Sequence, residues 1–122
     1  MDYSGENQNW SIAQTADKQI YVANSEGLLE YTGAYWRLYP SPNETVMRSV
    51  AVVKKRIYTG CFMEFGYWEK NALGVLEYNS LSQSMEIDLL EDEEFWTILR
   101  LDEYLLFQSL KRIYIYNVTN GS

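Results

Sequence analysis

Histidine is absent from this 122-residue chain, and with it go the Ser-His-Asp and Cys-His catalytic arrangements and the commonest general base and metal ligand. One cysteine, Cys61, excludes an internal disulfide and leaves no ligand set for structural zinc; it reads as a small buried hydrophobe. No apolar run approaches the roughly 20 residues of a membrane helix. The N-terminus lacks a basic stretch followed by an apolar one, so neither a span nor an export signal is expected in this segment. Basic residues are scarce: ten Lys and Arg against 17 Asp and Glu give a net charge of −7, the wrong sign for tracking phosphates, so direct nucleic-acid contact is not expected. Prolines number two, and helix formers recur nowhere at a 3.6-residue period.

What is present is strand chemistry. The chain is 47% hydrophobic and 16% aromatic, and its 11 tyrosines and 4 tryptophans suit a pleated, packed surface. These residues recur in register. Trp10-Ser11-Ile12-Ala13, Ile20-Tyr21-Val22 and Gly27-Leu28-Leu29-Glu30-Tyr31 return as Arg48-Ser49-Val50-Ala51, Ile57-Tyr58-Thr59 and Gly74-Val75-Leu76-Glu77-Tyr78. A looser third copy runs through Trp96-Thr97-Ile98-Leu99, Leu105-Leu106-Phe107 and Arg112-Ile113-Tyr114-Ile115-Tyr116. Such self-similarity marks a repeat architecture in which each unit buries its faces against its neighbours.

Within the first unit, strands are expected at about 10–14, 19–23, 28–32 and 35–39, parted by turn residues such as Ala16-Asp17-Lys18 and Ser25-Glu26-Gly27. The second unit places them at 46–53, 56–60, 74–78 and 84–89, and the third at 95–101, 104–108 and 112–117. Four short strands joined by tight turns make an antiparallel meander. The spacings of 38 residues from Trp10 to Arg48 and 48 from Arg48 to Trp96 are on the scale of a propeller blade. The expected fold is all-β, a partial β-propeller with two complete four-stranded blades, about 9–40 and 46–90, and an incomplete third, 94–117. A β-sandwich with accidental internal similarity is the alternative.

The second unit is longer by ten residues, and the excess falls between its expected second and third strands, in Cys61 to Leu73. Meander geometry returns this stretch, the loop 40–45 and the acidic run 91–94 to one face, at the rim where Trp10, Arg48 and Trp96 begin their strands. An aromatic loop with a glycine hinge, rimmed by carboxylates and an arginine, suits recognition. Arg48, Glu64, Phe65, Tyr67 and Trp68 are therefore the candidate ligand-recognition residues. A plainer reading has Phe65, Tyr67 and Trp68 capping the adjacent blade, and takes Trp10 and Trp96 as blade-packing residues.

The run Glu91-Asp92-Glu93-Glu94, preceded by Glu86 and Asp88, lacks the alternating oxygen ligands and turn glycine of a calcium loop and reads as a solvated connection. Asp102-Glu103 reads as a tight turn. No catalytic, cofactor-binding or metal-binding residue is identified. Closed propellers take about four to eight blades. Further blades of the same protein are thus expected partners, and the isolated segment is expected to self-associate or to be marginally stable.

Asn9-Trp10-Ser11-Ile12-Ala13-Gln14, Ile20-Tyr21-Val22-Ala23-Asn24, Glu26-Gly27-Leu28-Leu29-Glu30-Tyr31 with Trp36, and Arg48-Ser49-Val50-Ala51 resemble two-component-regulator propeller repeats. More specific is Glu64-Phe65-Gly66-Tyr67-Trp68, followed by Gly74-Val75-Leu76-Glu77-Tyr78 and Ser80-Leu81. It is similar to the periplasmic sensor propellers of Bacteroidetes-type membrane-spanning regulators that end in a helix-turn-helix or a histidine kinase. The resemblance covers residue 9 to about 117 and implies a non-catalytic, periplasmic sensing segment that makes no membrane contact itself. It also implies an output domain outside this segment; ligand chemistry is not implied, and a small molecule or oligosaccharide is the expected class of ligand. Two departures stand out: Arg112 replaces the glycine that opens the third strand, and the second-strand aromatic shifts to Phe107. In a protein of this resemblance the Asn-x-Ser/Thr triplets at Asn9, Asn43, Asn117 and Asn120 are chance matches. A protein-interaction scaffold, or a fragment of a polysaccharide-acting lyase or hydrolase, is the alternative function; no convergent catalytic set favours the enzyme.

Overall fold

Alternating apolar residues and tight turns fold the chain into antiparallel hairpins, seen in a computed structural model that describes residues 8–85 and 93–119. Strands β1 (Asn9–Gln14), β2 (Ile20–Asn24), β3 (Gly27–Tyr31) and β4 (Trp36–Pro40) pair in chain order as the first sheet. A second sheet is built the same way from β5 (Ser49–Val53), β6 (Arg56–Cys61), β7 (Glu64–Lys70) and β8 (Leu76–Ser80). The third holds β9 (Thr97–Leu101), β10 (Tyr104–Gln108) and β11 (Ile113–Asn117), three strands among the described residues. One helical turn, α1 (Leu81–Ser84), follows β8, its first turn capped by the Ser80 hydroxyl. The fold is all-β and every pairing within the sheets is antiparallel.

The second sheet departs from the sequence expectation. Its third strand is β7, so most of Cys61 to Leu73 is strand rather than an enlarged loop: Cys61 pairs with Glu64 across a tight connection at Phe62-Met63. The segment expected at 74–78 as a third strand supplies the fourth, β8. Asn71 makes this possible, because its Oδ1 accepts the N–H groups of Leu73 and Val75 while Gly74 takes φ +79°, closing a turn between β7 and β8. The extra length of the unit lies beyond β8 instead. Of the strand expected at 84–89, Ser84 ends α1 and Met85 caps it, and 86–89 lie outside the described residues.

Strand alternation gives the second sheet two apolar faces. Val50, Ile57, Trp68 and Leu76 pack with Tyr21, Ala23, Leu28 and Tyr39 of the first sheet. Val53, Tyr58 and Phe65 pack with Leu105, Phe107 and Tyr116 of the third, and Phe65 stacks on Phe107 with ring centroids 4.4 Å apart. The first strands of successive sheets lie side by side, β1 against β5 and β5 against β9. Close approach at the second junction depends on Gly60: a Cβ there would lie 2.7 Å from Phe95 Cβ and 2.8 Å from its carbonyl oxygen. That same oxygen accepts the Ser49 hydroxyl at 2.7 Å. Gly60→Ala is expected to cost about 1–3 kcal/mol through overpacking; an unchanged denaturation midpoint would show that the junction gives way freely.

Candidate functional site

Because the first strands are neighbours, the residues that open them meet at one end of the stack. A β-bulge between Asn9 and Ser11 turns Trp10 out of the ladder. Arg48 lies just before β5, its N–H bonded to Gly60 O, and Trp96 lies just before β9, its N–H bonded to Gln108 O. The Arg48 guanidinium sits 4.1 Å from the Trp10 ring centroid and 4.3 Å from that of Trp96, and the two indoles stand edge-on at 6.1 Å. Arg48 Nε donates to Glu94 Oε2 at 2.7 Å. Its Nη1 is buried and has no hydrogen-bond partner among the described residues. The Arg48 side chain is 14% exposed, whereas Trp10 and Trp96 are 40% and 38% exposed.

The surrounding loops are tied into the same end. Asn43 Nδ2 donates to Phe62 O at 2.7 Å, Phe62 N to Thr45 Oγ1, Met63 N to Glu93 O and Phe95 N to Cys61 O. Loop 40–45, the Phe62-Met63 connection and Glu93-Glu94 therefore share one end, as meander geometry requires; residues 91 and 92 lie outside the described set. No group of three His, Cys, Asp or Glu that could hold a metal ion occurs among the described residues. The cluster presents two indole faces over a fixed guanidinium whose charge Glu94 balances, an arrangement for stacking and hydrogen bonding.

The five sequence candidates do not come together. Arg48 is in the cluster. Phe65 is fully buried between Phe95 and Phe107, and Trp68 is buried against Tyr39 and Tyr78 with its Nε1 donating to Thr59 Oγ1 at 2.9 Å. Glu64 is buried too and accepts the Tyr78 hydroxyl at 2.7 Å. Tyr67 is half-buried in an open groove between the second and third sheets, with the Arg56 guanidinium 4.0 Å from its ring centroid. Trp10, Trp96 and Glu94 were legible only in part: Trp, Arg and Trp occupy matching positions of the three repeats, but nothing in the repeat says that they touch.

Three buried carboxylates each accept a hydrogen bond from a phenol. Tyr21 donates to Glu30 at 2.6 Å, Tyr78 to Glu64, and Tyr114 to Glu93 at 2.8 Å. Desolvation first, then the neighbouring carboxylate, raises all three phenols above the usual tyrosine range, Tyr114 to about 12. Burial likewise pushes the Cys61 thiol up to about 12, which makes it a poor nucleophile.

No known family model matches the sequence, and neither does any curated protein. Among solved structures, the chain superposes on the extracellular domain assigned to a one-component system of B. thetaiotaomicron. The TM-score is 0.69 at 18% identity, over 98% of this chain and 16% of that chain. The likeness is one of fold, and this chain spans about a sixth of its neighbour's length.

Two consequences are measurable. Arg48→Lys keeps a charge for Glu94 but loses the guanidinium's contacts with the two indole rings, and is expected to cost about 1–2 kcal/mol with a red shift of tryptophan emission; retention of both midpoint and emission would place the energy of those contacts near zero. The raised phenols make stability pH-dependent. Below pH 10 both states hold their protons and the full stability is present; as pH rises through 10 toward 12 the unfolded chain ionises first and stability falls. Denaturant midpoints should therefore drop above pH 10, and Tyr114→Phe should flatten part of that drop.

Proposed function

We propose that the chain is part of the extracytoplasmic, ligand-sensing β-propeller of a bacterial membrane-spanning regulator, each meander sheet being one blade, and that it has no catalytic role. The observation that carries this reading is the stacking of three successive up-and-down sheets with their first strands side by side, the order that blades take about a central axis. Its superposition over 98% of its length on an extracellular domain assigned to a one-component system supports a sensory role and a periplasmic or extracellular location. That neighbour's greater length supports an arc of a larger ring, completed by further blades of the same protein. The state of the ring is relayed across the membrane to an output domain of the helix-turn-helix or histidine-kinase kind. The exposed outer faces, with Ile12 and Leu38 on one end sheet and Leu99 and Ile115 on the other, make the isolated segment prone to self-association.

Ligand contact belongs at Trp10, Arg48 and Trp96 in this reading. Half-exposed indoles offer apolar faces to the C–H groups of a sugar ring, and the balanced Arg48–Glu94 pair suits an uncharged small molecule or oligosaccharide. Titration of the chain with a panel of neutral oligosaccharides, followed by tryptophan emission, is expected to show saturable binding. Trp10→Ala and Trp96→Ala should each weaken it by about ten-fold or more, whereas Trp68→Ala should lower stability by about 3–5 kcal/mol and leave the contact site in place. Binding indifferent to both Trp10→Ala and Trp96→Ala would remove the cluster from the ligand site.

A further inference from the structure

Trp10, Arg48 and Trp96 mark one end of the stack, and the turns that close β1–β2 and β5–β6 come together at the other, on either side of a cleft of about 540 Å³. Thr15 and Gln19 stand on one side of it and Lys54 and Lys55 on the other, while Lys70 joins them from the end of β7. The buried Tyr21 and Ile57 form its floor. All of these residues belong to the first two sheets and their hairpin turns, and each of those sheets has four strands. The volume lies within the range of small-molecule sites.

The walls of this cleft do not balance their own charge. Glu69 is spent on Arg56 at 3.4 Å, and Lys70 on the buried Glu30 at 3.4 Å, where Glu30 also accepts the Tyr21 hydroxyl. Asp17 is left to answer Lys54 and Lys55, and its carboxylate accepts the Thr15 hydroxyl instead. Both lysines are exposed, and neither has an ion-pair partner among the described residues. The turn that faces them is held in place, since Thr15 Oγ1 accepts the Gln19 N–H at 3.0 Å and the Thr15 N–H donates to Gln19 O. In a chain of net charge −7, two neighbouring ammonium groups that repel each other and lack a carboxylate are an excess that an anion offsets.

We propose that the cleft between the β1–β2 and β5–β6 turns binds a small oxyanion, a carboxylate or a phosphoryl group, held by Lys54, Lys55 and Lys70. Each ammonium has three donors to offer. Lys54 and Lys55 supply the uncompensated charge, and Lys70 approaches from a position set by Glu30. The ligand touches both sheets, so its binding ties the first to the second. The cleft lies at the far end of the stack from the aromatic cluster, and loss of oligosaccharide binding in the preceding experiment leaves it untouched.

The test is an NMR titration of the full chain at neutral pH with sodium phosphate and, separately, with sodium succinate, each against sodium chloride of equal ionic strength. Saturable shifts of amides on both turns are expected, at Asp17 and Gln19 on one and at Lys54 and Lys55 on the other. Tighter binding of phosphate would assign the site to a phosphoryl group, and tighter binding of succinate to a carboxylate. Lys54→Gln and Lys55→Gln, both at exposed positions, should each weaken binding about three-fold and together about ten-fold. Lys111→Gln, which removes a charge outside the cleft, should leave it unchanged. Shifts that chloride reproduces, shifts without saturation, or shifts confined to one turn would overturn the site. So would an affinity indifferent to the double substitution.

Discussion

A four-stranded sheet that is apolar on both faces has to be covered twice, and the second sheet sets this requirement for the rest of the molecule. Along β7 alone, Phe65 faces the third sheet and Trp68 the first, so one strand feeds both cores. Covering both faces forces the first strands of adjacent sheets together, and it brings backbone close enough that Gly60 cannot carry a side chain without displacing Phe95. Polar links hold the same junctions in register: Lys70 of the second sheet reaches the buried Glu30 of the first at 3.4 Å, and Ser49 reaches across to Phe95 O. A buried carboxylate is costly unless paired, which is why Glu30 also takes the Tyr21 hydroxyl. The requirement does not end at the chain's own faces, since the two end sheets carry exposed aliphatic residues where the middle sheet carries buried ones.

The position of Arg48 follows from that stacking. Three strands that start side by side bring their opening residues within contact of one another, so a tryptophan, an arginine and a tryptophan at equivalent repeat positions become a single cluster. Burying a guanidinium with one donor unsatisfied costs about 1–3 kcal/mol. Two cation–π contacts of about 0.5–2 kcal/mol each and the Glu94 ion pair are of a size to offset it. An arginine rather than a lysine suits the place because its delocalised, weakly hydrated guanidinium can lie against aromatic rings while its Nε still donates to Glu94.

How far the sequence could be read turns on the difference between a residue's identity and its environment. Turn residues and alternation located β1 to β6 and β9 to β11 to within a few residues, and the matching starts of the repeats pointed to one rim. Gly74-Val75-Leu76-Glu77-Tyr78 misled because it repeats the letters of Gly27-Leu28-Leu29-Glu30-Tyr31 one strand later. Glu30 is buried beneath Tyr21, whereas Glu77 is exposed, a contrast that pattern matching cannot see. Gly66 misled in a second way. In the middle of an aromatic run it resembles a loop hinge, yet it sits within β7 because a Cβ there would lie 2.2 Å from Asn79 O on β8. The recognition residues sought in that run are consequently core residues, apart from Tyr67, and the exposed aromatics lie at the strand starts instead.

Charge is distributed along the stack in a way that composition hides. The two grooves between neighbouring sheets, at the end where the β5–β6 turn lies, hold five of the chain's ten basic residues but four of its 17 acidic ones. The remainder of the chain is therefore more acidic than the net charge of −7 suggests, and this end is close to neutral or slightly basic. Lys54 and Lys55 belong to both grooves, so one tight turn with Lys54 in the left-handed region serves two inter-sheet spaces. At the opposite end the sole described cation among the strand starts, Arg48, is neutralised by Glu94. The two ends are thus chemically distinct, one aromatic and charge-balanced around Arg48, the other lined by Lys54, Lys55, Arg56, Lys70 and Arg100.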